Sequence, residues 1–208
     1  MNEQFWHNII TDKSFAFLQK LRKKFDFVLI GGWAVYFYTR SLKSKDIDII
    51  VNFEELGRFR EYFDVRKNDR LKKYEIQQEG FDVDIYVPHW SELGLPLDDV
   101  IKTATLIGGF RVPKKEALLA LKLFAYSQRK SSLKGKKDMI DILSLLYSGG
   151  VRLPALYAMF EKYNIRGMGA ELKEILMTTF EVKELNLNQK RFSDFKKPVL
   201  KELQARNF

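Results

Sequence analysis

The stretch that decides the fold runs from Phe27 to Val51 and reads FVLIGGWAVYFYTRSLKSKDIDIIV. Its first four residues are apolar and predict a short buried strand. Gly31-Gly32 ends that strand, and Trp33 to Arg40 is predicted as a short buried helix. Asp46 to Val51 then predicts a strand in which acidic and aliphatic residues alternate. The stretch therefore predicts a strand, a glycine turn, a helix and a second strand.

Hydrophobic periodicity extends this pattern in both directions. Upstream, residues 14–25 are predicted as an amphipathic helix. Downstream, up to Pro113, we expect a helix over 54–62, strands over 73–78 and 81–87, and a hairpin within 103–112 that turns at Gly108-Gly109. Beyond Pro113 the spacing is helical only, over 114–129, 136–147, 154–163 and 171–180.

These elements predict an α/β (α+β) fold class in two parts. Residues 1–112 are expected to form a small mixed β-sheet with helices, and residues 113–208 a helical C-terminal region. The basic stretch RKSSLKGKK at 129–137 is predicted as a solvated loop between two helices. The polar residues at the C-terminus are predicted to pack loosely.

The composition limits the partners and the metal ligands that the chain can have. The 208 residues include 36 Lys and Arg against 27 Asp and Glu, a formal net charge of +9. Such a balance favours polyanionic partners such as nucleotides, RNA, DNA or an anionic membrane surface. The chain has no cysteine and two histidines, which excludes disulfide frameworks, cysteine-ligated zinc and thiol nucleophiles. Any metal ion must be held by carboxylates.

Two features bear on localisation. The longest apolar run, FVLIGGWAVYFYT at 27–39, is too short for a bilayer-spanning helix and contains the glycine pair. The N-terminal residues MNEQFWHNII have no basic region followed by an apolar stretch and a cleavage site. We therefore expect a cytoplasmic protein that has no membrane partner.

Acidic residues alternate along two of the predicted strands. The two-residue period of a strand puts Asp46 and Asp48 on one face, and Asp82 and Asp84 likewise share a face of theirs. If the two strands belong to one sheet, up to four carboxylates converge, and they repel each other unless a cation lies between them. Mg²⁺ is the natural occupant because it prefers carboxylate oxygens and leaves coordination positions open for phosphates.

The glycine pair fits the same chemistry. Gly31-Gly32 lies where a strand ends and a helix begins, so backbone amides and the helix dipole favour a bound phosphate there. Glycine also lets a triphosphate approach the backbone closely. With two metal ions, an in-line phosphoryl or nucleotidyl transfer has both its attacking and its leaving oxygens stabilised.

Together these residues resemble the polymerase-beta-like nucleotidyltransferase superfamily, particularly its small prokaryotic branch that includes toxins of abortive-infection and toxin–antitoxin systems. The resemblance covers roughly residues 27–147. The segments that carry it are Gly-Gly-Trp-Ala-Val at 31–35, Ser44-x-Asp46-Ile47-Asp48, Asp84 within an apolar strand, Leu118 to Lys122, Arg129, and Lys137-Asp138-x-x-Asp141.

The resemblance implies roles for individual residues. Asp46 and Asp48 would bind two Mg²⁺ ions, for which Mn²⁺ can substitute, and Asp84 would bind one of them and accept the proton of an acceptor hydroxyl. Gly31-Gly32 and Ser44 would hold the triphosphate. Asp82 is the alternative to Asp84 as the third carboxylate, and Asp84 is favoured because apolar residues enclose it.

Lys122 has two interpretations. It is the one charged residue between Ala117 and Tyr126, and a charge in such surroundings needs an anionic partner or access to solvent. Lys122 either pairs with Asp138 or Asp141 and joins two helices, or binds the nucleotide phosphate.

The resemblance implies transfer of a nucleoside monophosphate from a nucleoside triphosphate to an acceptor hydroxyl, with release of pyrophosphate. The acceptor is open: RNA such as tRNA, which would suit a toxin with an antitoxin partner, a protein hydroxyl, or a small molecule. The alternative function is a catalytically silent module of the same fold that binds a nucleotide or a partner.

Overall fold

The computed structural model describes the backbone of residues 3–205 and the side chains of residues 8–205. The chain divides into two compact units, Met1–Lys114 and Lys115–Phe208, where the sequence predicted a division after residue 112. None of the described helices is both long enough and apolar enough to cross a bilayer.

The first unit is a mixed α/β structure, as the sequence predicted. Its helices are α1 (Glu3–Arg22), α2 (Gly31–Thr39), α3 (Phe53–Tyr62) and α4 (Leu97–Lys102). Its strands are β1 (Val28–Ile30), β2 (Ile47–Ile50), β3 (Arg66–Asn68), β4 (Lys73–Gln78), β5 (Phe81–Tyr86), β6 (Thr105–Ile107) and β7 (Phe110–Val112).

Five of these strands form one mixed sheet in the order β1-β2-β5-β4-β3. β2 and β5 run parallel, and the other neighbouring strands are antiparallel. The predicted hairpin is present as β6 and β7, and it turns at Gly108-Gly109 as expected. The parallel pair at the centre of the sheet is what brings residues of two distant sequence segments side by side.

Alternation along the central strands separates the core from the polar face of the sheet. Ile47, Ile49, Val83 and Ile85 are all fully buried. The residues between them on β2 and β5 point to the opposite face, because successive side chains of a strand alternate. The apolar face thereby fixes the register, since a one-residue slip would bury the acidic residues.

The second unit is helical throughout its regular structure. It contains α5 (Lys115–Arg129), α6 (Leu133–Tyr147), α7 (Leu153–Lys162), α8 (Gly167–Thr178), a short 3₁₀ turn (Lys183–Leu185) and α9 (Gln189–Gln204). Helix α5 packs against α6, and both have a broad buried face.

Three local predictions were wrong. Gly31 begins α2 rather than separating it from the strand. The segment 129–137 is not a loop throughout, because the Ser132 hydroxyl caps α6 by accepting a hydrogen bond from the Gly135 amide, and the helix starts at Leu133. The C-terminal residues form α9, whose Phe192 and Leu203 are fully buried. Strand β3 was not predicted at all.

Candidate active site

Asp48 and Asp84 lie directly opposite each other on the sheet. Asp48 is on β2 and Asp84 is on β5, and the two are paired in the parallel register. Both point to the polar face, since their neighbours along each strand are buried in the core. This is the convergence of acidic strands that the sequence predicted on the condition that the two strands share a sheet.

A third carboxylate continues the same row. Glu75 on β4 is the register partner of Asp84 on the side away from β2, so Asp48, Asp84 and Glu75 follow one another across three strands. The Lys73 ammonium lies between the last two, 2.7 Å from Asp84 Oδ2 and 2.9 Å from Glu75 Oε1. The side chains of Lys73 and Asp84 are only 13% and 15% exposed. Sequence reasoning missed Lys73 and Glu75.

The Asp84 carboxyl group is held in an unusual electrostatic environment. The pKa of Asp84 is raised to about 7, chiefly by burial and then by the negative charge of Asp48, while the hydrogen bond and charge of Lys73 lower it. Its Oδ1 atom is buried and has no hydrogen-bond partner among the described residues. A buried carboxylate oxygen without a donor is costly, and a bound cation would satisfy it.

Asp46 immediately precedes β2, and Asp82 is the second residue of β5. Asp46 Oδ1 accepts a hydrogen bond from the backbone amide of Asp82 at 3.3 Å, and the Asp82 side chain is exposed. In the part of the chain whose side chains are described, no three acidic or histidine residues are grouped so that they could hold a metal ion. The structure therefore brings Asp48 and Asp84 together, while Asp46 is engaged by the β5 backbone.

Gly31 determines how closely Asp48 approaches the start of helix α2. Its φ is +64°, a conformation that residues with a Cβ seldom adopt. A Cβ added at this position would overlap the Asp48 carboxylate. Gly32, the next residue, is buried in the first turn of α2. The absence of a side chain at Gly31 thus makes room for the carboxylate beside the helix N-terminus.

We expect Gly31→Ala to cost at least about 2 kcal/mol of unfolding free energy, because it adds both a steric overlap and a disfavoured φ. We also expect it to displace Asp48 and to abolish whatever activity depends on that carboxylate. Urea denaturation measures the first effect. The matched control is Gly57→Ala in α3, where a Cβ would meet no atom within 4 Å and should not destabilise the helix. Equal stability of the two variants would contradict this role of Gly31.

Ser44 and Lys122, the other two predicted nucleotide-binding residues, are both buried. Ser44 precedes β2 by three positions in the chain. Lys122 belongs to the second unit, where its ammonium lies 3.1 Å from Asp138 Oδ1 and 2.6 Å from Asp141 Oδ2. Of the two interpretations of Lys122, the pairing that joins α5 to α6 is thus present, and contact with a phosphate stays a prediction.

The high pKa of Asp84 predicts how stability depends on pH. Its folded-state pKa of about 7 lies above the ordinary value of 3.8, so between these values the folded state keeps a proton that the unfolded state has lost. The free energy of unfolding should therefore fall as pH rises through this window, by up to about 4 kcal/mol from this one group.

Urea denaturation at about pH 5 and about pH 8, with a chelator present, measures this dependence. Asp84→Asn removes the titrating group, so the decrease between the two pH values should be smaller in that variant than in the natural chain. Identical decreases in the two proteins would show that Asp84 titrates at an ordinary pH.

No protein-family model matches the sequence, and no curated protein matches it. Among solved structures, the chain is similar to an antigenic nucleotidyltransferase-like protein from Paracoccidioides brasiliensis, with 16% identity and a TM-score of 0.43. That alignment covers 79% of this chain and 92% of the other. A likeness this distant assigns neither a family nor an activity.

Proposed function

We propose that this chain is a metal-dependent nucleotidyltransferase, which moves a nucleoside monophosphate from a nucleoside triphosphate to an acceptor hydroxyl and releases pyrophosphate. The observation that carries this proposal is the pair Asp48 and Asp84, facing each other on adjacent parallel strands with Asp48 packed against the first residue of α2. Carboxylates and a helix N-terminus at one place suit a cation and a phosphate together.

The carboxylate oxygens of Asp48 and Asp84 are suitable ligands for Mg²⁺. Mg²⁺ takes one or two carboxylates from the protein and completes its shell with water and substrate phosphates, so the two carboxylates of Asp48 and Asp84 suffice. The Oδ1 atom of Asp84 is buried and has no hydrogen-bond donor among the described residues. A bound cation would compensate its negative charge. When bound, Mg²⁺ would neutralise charge on the phosphates and on the leaving pyrophosphate.

Residues of the chain accept the proton and orient the triphosphate. The acceptor oxygen forms a bond to the α-phosphorus, and the bond from that phosphorus to the oxygen of the β-phosphate breaks. Asp84 receives the acceptor proton, since a carboxylate at the reacting atoms can act as a general base. The amides of Gly31 and Gly32 at the start of α2 orient the triphosphate.

The class of acceptor is part of the proposal. The net charge of +9 favours a polyanionic acceptor, because a positive field concentrates polyanions near the protein. We therefore propose RNA, with tRNA as the prime candidate, as in a toxin restrained by an antitoxin partner. A protein hydroxyl and a small-molecule hydroxyl are the other outcomes of the test.

A second candidate function is a catalytically silent module that binds a nucleotide or a partner. Two observations favour it: Lys73 already pairs with Asp84, and the described side chains supply no group of three metal ligands. Such a module would bind a nucleoside triphosphate without turning it over.

Label transfer decides between these functions. Each of the four α-labelled nucleoside triphosphates is incubated with the protein, Mg²⁺ or Mn²⁺, total RNA and total protein, beside the double variant Asp46→Ala/Asp48→Ala. Label in one fraction that disappears with the variant establishes the enzyme and its acceptor class. Triphosphate binding without label in RNA or protein, and without release of pyrophosphate when a small-molecule extract is added, favours the silent module. Lack of binding and of label would overturn both.

A further inference from the structure

Lys73 has a geometry that the proposed reaction does not use. Its ammonium is 2.7 Å from Asp84 Oδ2 and 2.9 Å from Glu75 Oε1, and it is largely shielded from solvent. Lys73 and Glu75 lie two residues apart on β4, so both side chains point to the face that carries Asp48 and Asp84. A cationic side chain thus lies at one end of the proposed metal site.

Charge explains why a lysine is present there. Asp48, Asp84 and Glu75 occupy consecutive positions across three strands, and three ionised carboxylates at such spacing repel one another strongly when partly buried. Lys73 supplies one compensating charge. Its contact with Asp84 Oδ2 is short and charge-assisted, which is the strong form of a hydrogen bond.

The same contact works against a second cation. A divalent ion on Asp84 would have to share the carboxylate with an ammonium group 2.7 Å from one of its oxygens, and the two positive charges repel. Glu75 offers the ammonium an alternative partner, and Glu75 itself is held in place by the Asn68 side-chain amide, which donates to Oε1 at 3.0 Å. The flexible stem of a lysine permits such a shift.

We propose that Lys73 is the internal counter-ion of Asp84 in the metal-free protein, and that it competes with a divalent cation for the Asp48–Asp84 pair. Cation binding moves the Lys73 ammonium away from Asp84 and leaves it paired with Glu75. This inference rests on the proposed function, because it presumes that a cation binds at Asp48 and Asp84. It assigns Lys73 the task of setting the affinity of the site.

The test is a calorimetric titration of the full chain with Mn²⁺ in the absence of nucleotide. Lys73→Gln should bind Mn²⁺ about tenfold more tightly than the natural chain, which is the effect expected for loss of one competing charge-assisted hydrogen bond. A pH of about 8 is used because loss of Lys73 favours the protonated form of Asp84, and a proton would also compete with the cation.

Two matched variants control for net charge and for folding. Lys67→Gln makes the same charge change on β3, where Lys67 is the register partner of Tyr74 and so lies on the other face of the sheet; its affinity should not change. Lys73→Arg keeps the positive charge and should bind Mn²⁺ as weakly as the natural chain does. If Lys73→Gln fails to fold, Glu75→Gln replaces it, and Mn²⁺ affinity should then fall because Lys73 has lost its alternative partner.

The outcomes separate this inference from the function on which it rests. Mn²⁺ binding that requires Asp48 but is unchanged or weakened in Lys73→Gln overturns the role of Lys73 and leaves the metal site intact. No Mn²⁺ binding by either protein overturns the metal site itself. Tighter binding in Lys73→Gln that persists after Asp84→Asn is added would show that the competition does not act through Asp84, and would also overturn the inference.

Discussion

Asp48→Asn is expected to reduce nucleotidyl transfer by about a thousandfold or more, which is the loss typical of removing a group that stabilises transition-state charge. Asparagine keeps the size of the side chain beside Gly31 but removes the charge that would hold Mg²⁺. The same change removes the repulsion that Asp48 exerts on the Asp84 carboxylate, so the free energy of unfolding should depend less on pH. Transfer rates and urea denaturation, measured on one preparation, test both statements.

Asp82→Asn is the matched control for this prediction. Asp82 is two residues from Asp84 on β5, on the same face of the sheet, yet its side chain is exposed and it faces Gln77 in the register. Its substitution should leave transfer within about twofold of the natural rate, since an exposed charge at that distance is screened. A large loss in Asp82→Asn, with Asp84→Asn still active, would reassign the third carboxylate to Asp82.

Lys122→Met is expected to cost about 3 kcal/mol of unfolding free energy, the typical consequence of removing one partner from a buried ion pair. Methionine keeps most of the apolar stem but leaves Asp141 and Asp138 without the ammonium that both contact. Arg129, whose Nη2 is 2.7 Å from Asp138 Oδ2, compensates only one of the two carboxylates. The melting temperature and a urea titration provide the measurement.

Lys130→Met is the control, because Lys130 also contacts two carboxylates but does so at the surface, with Glu171 and Glu174. Its loss should cost much less than the loss of Lys122, because an exposed ion pair is screened by solvent. The Lys122 variant also separates the two interpretations of that residue. Loss of transfer at a temperature where Lys122→Met is fully folded would favour phosphate contact, whereas loss of stability alone would assign Lys122 to joining α5 and α6.

The sequence predicted the central strands and the strand faces on which Asp48 and Asp84 lie, because alternation is a local signal. Ile47 and Ile49 on β2, and Val83 and Ile85 on β5, define the buried face without reference to any other strand. The pairing of β2 with β5 was only a condition of the argument, since strand order depends on contacts between segments that are distant in the chain. Asp48 and Asp84 could therefore be picked out from the sequence, whereas their pairing and the presence of Lys73 and Glu75 beside them could not.

The position of Lys73 in the site also depends on strand pairing and could not be predicted from the sequence. The alternation Lys73-Tyr74-Glu75 places both charges on one face of a polar strand, and from sequence alone that face is an ordinary solvated one. Only the antiparallel register of β4 with β5 brings Glu75 opposite Asp84. Lys73 and Glu75 thus belong to the site only because β4 pairs with β5 in this register, and that pairing joins residues that the local pattern does not relate.

The two wrong predictions in the second unit also have physical causes. Residues 129–137 were predicted as a loop because they are mostly basic and polar. A serine such as Ser132, which accepts a hydrogen bond from the amide three residues later, is nevertheless a common start of a helix. The polar C-terminal residues contain enough apolar side chains at helical spacing to bury one stripe of α9, including Phe192 and Leu203. In both segments the prediction of loose or irregular structure followed the overall polarity of the residues. The helical spacing of their apolar residues would have predicted the helices correctly.

The central claim, that Asp48 and Asp84 hold a divalent cation and a nucleoside triphosphate together, is tested most directly by anomalous X-ray diffraction from crystals grown with Mn²⁺ and a non-hydrolysable triphosphate. The account predicts a manganese peak in contact with both carboxylates and with phosphate oxygens, near the amides of Gly31 and Gly32. A triphosphate bound elsewhere, or no manganese at the pair while Lys73 remains on Asp84, would contradict it.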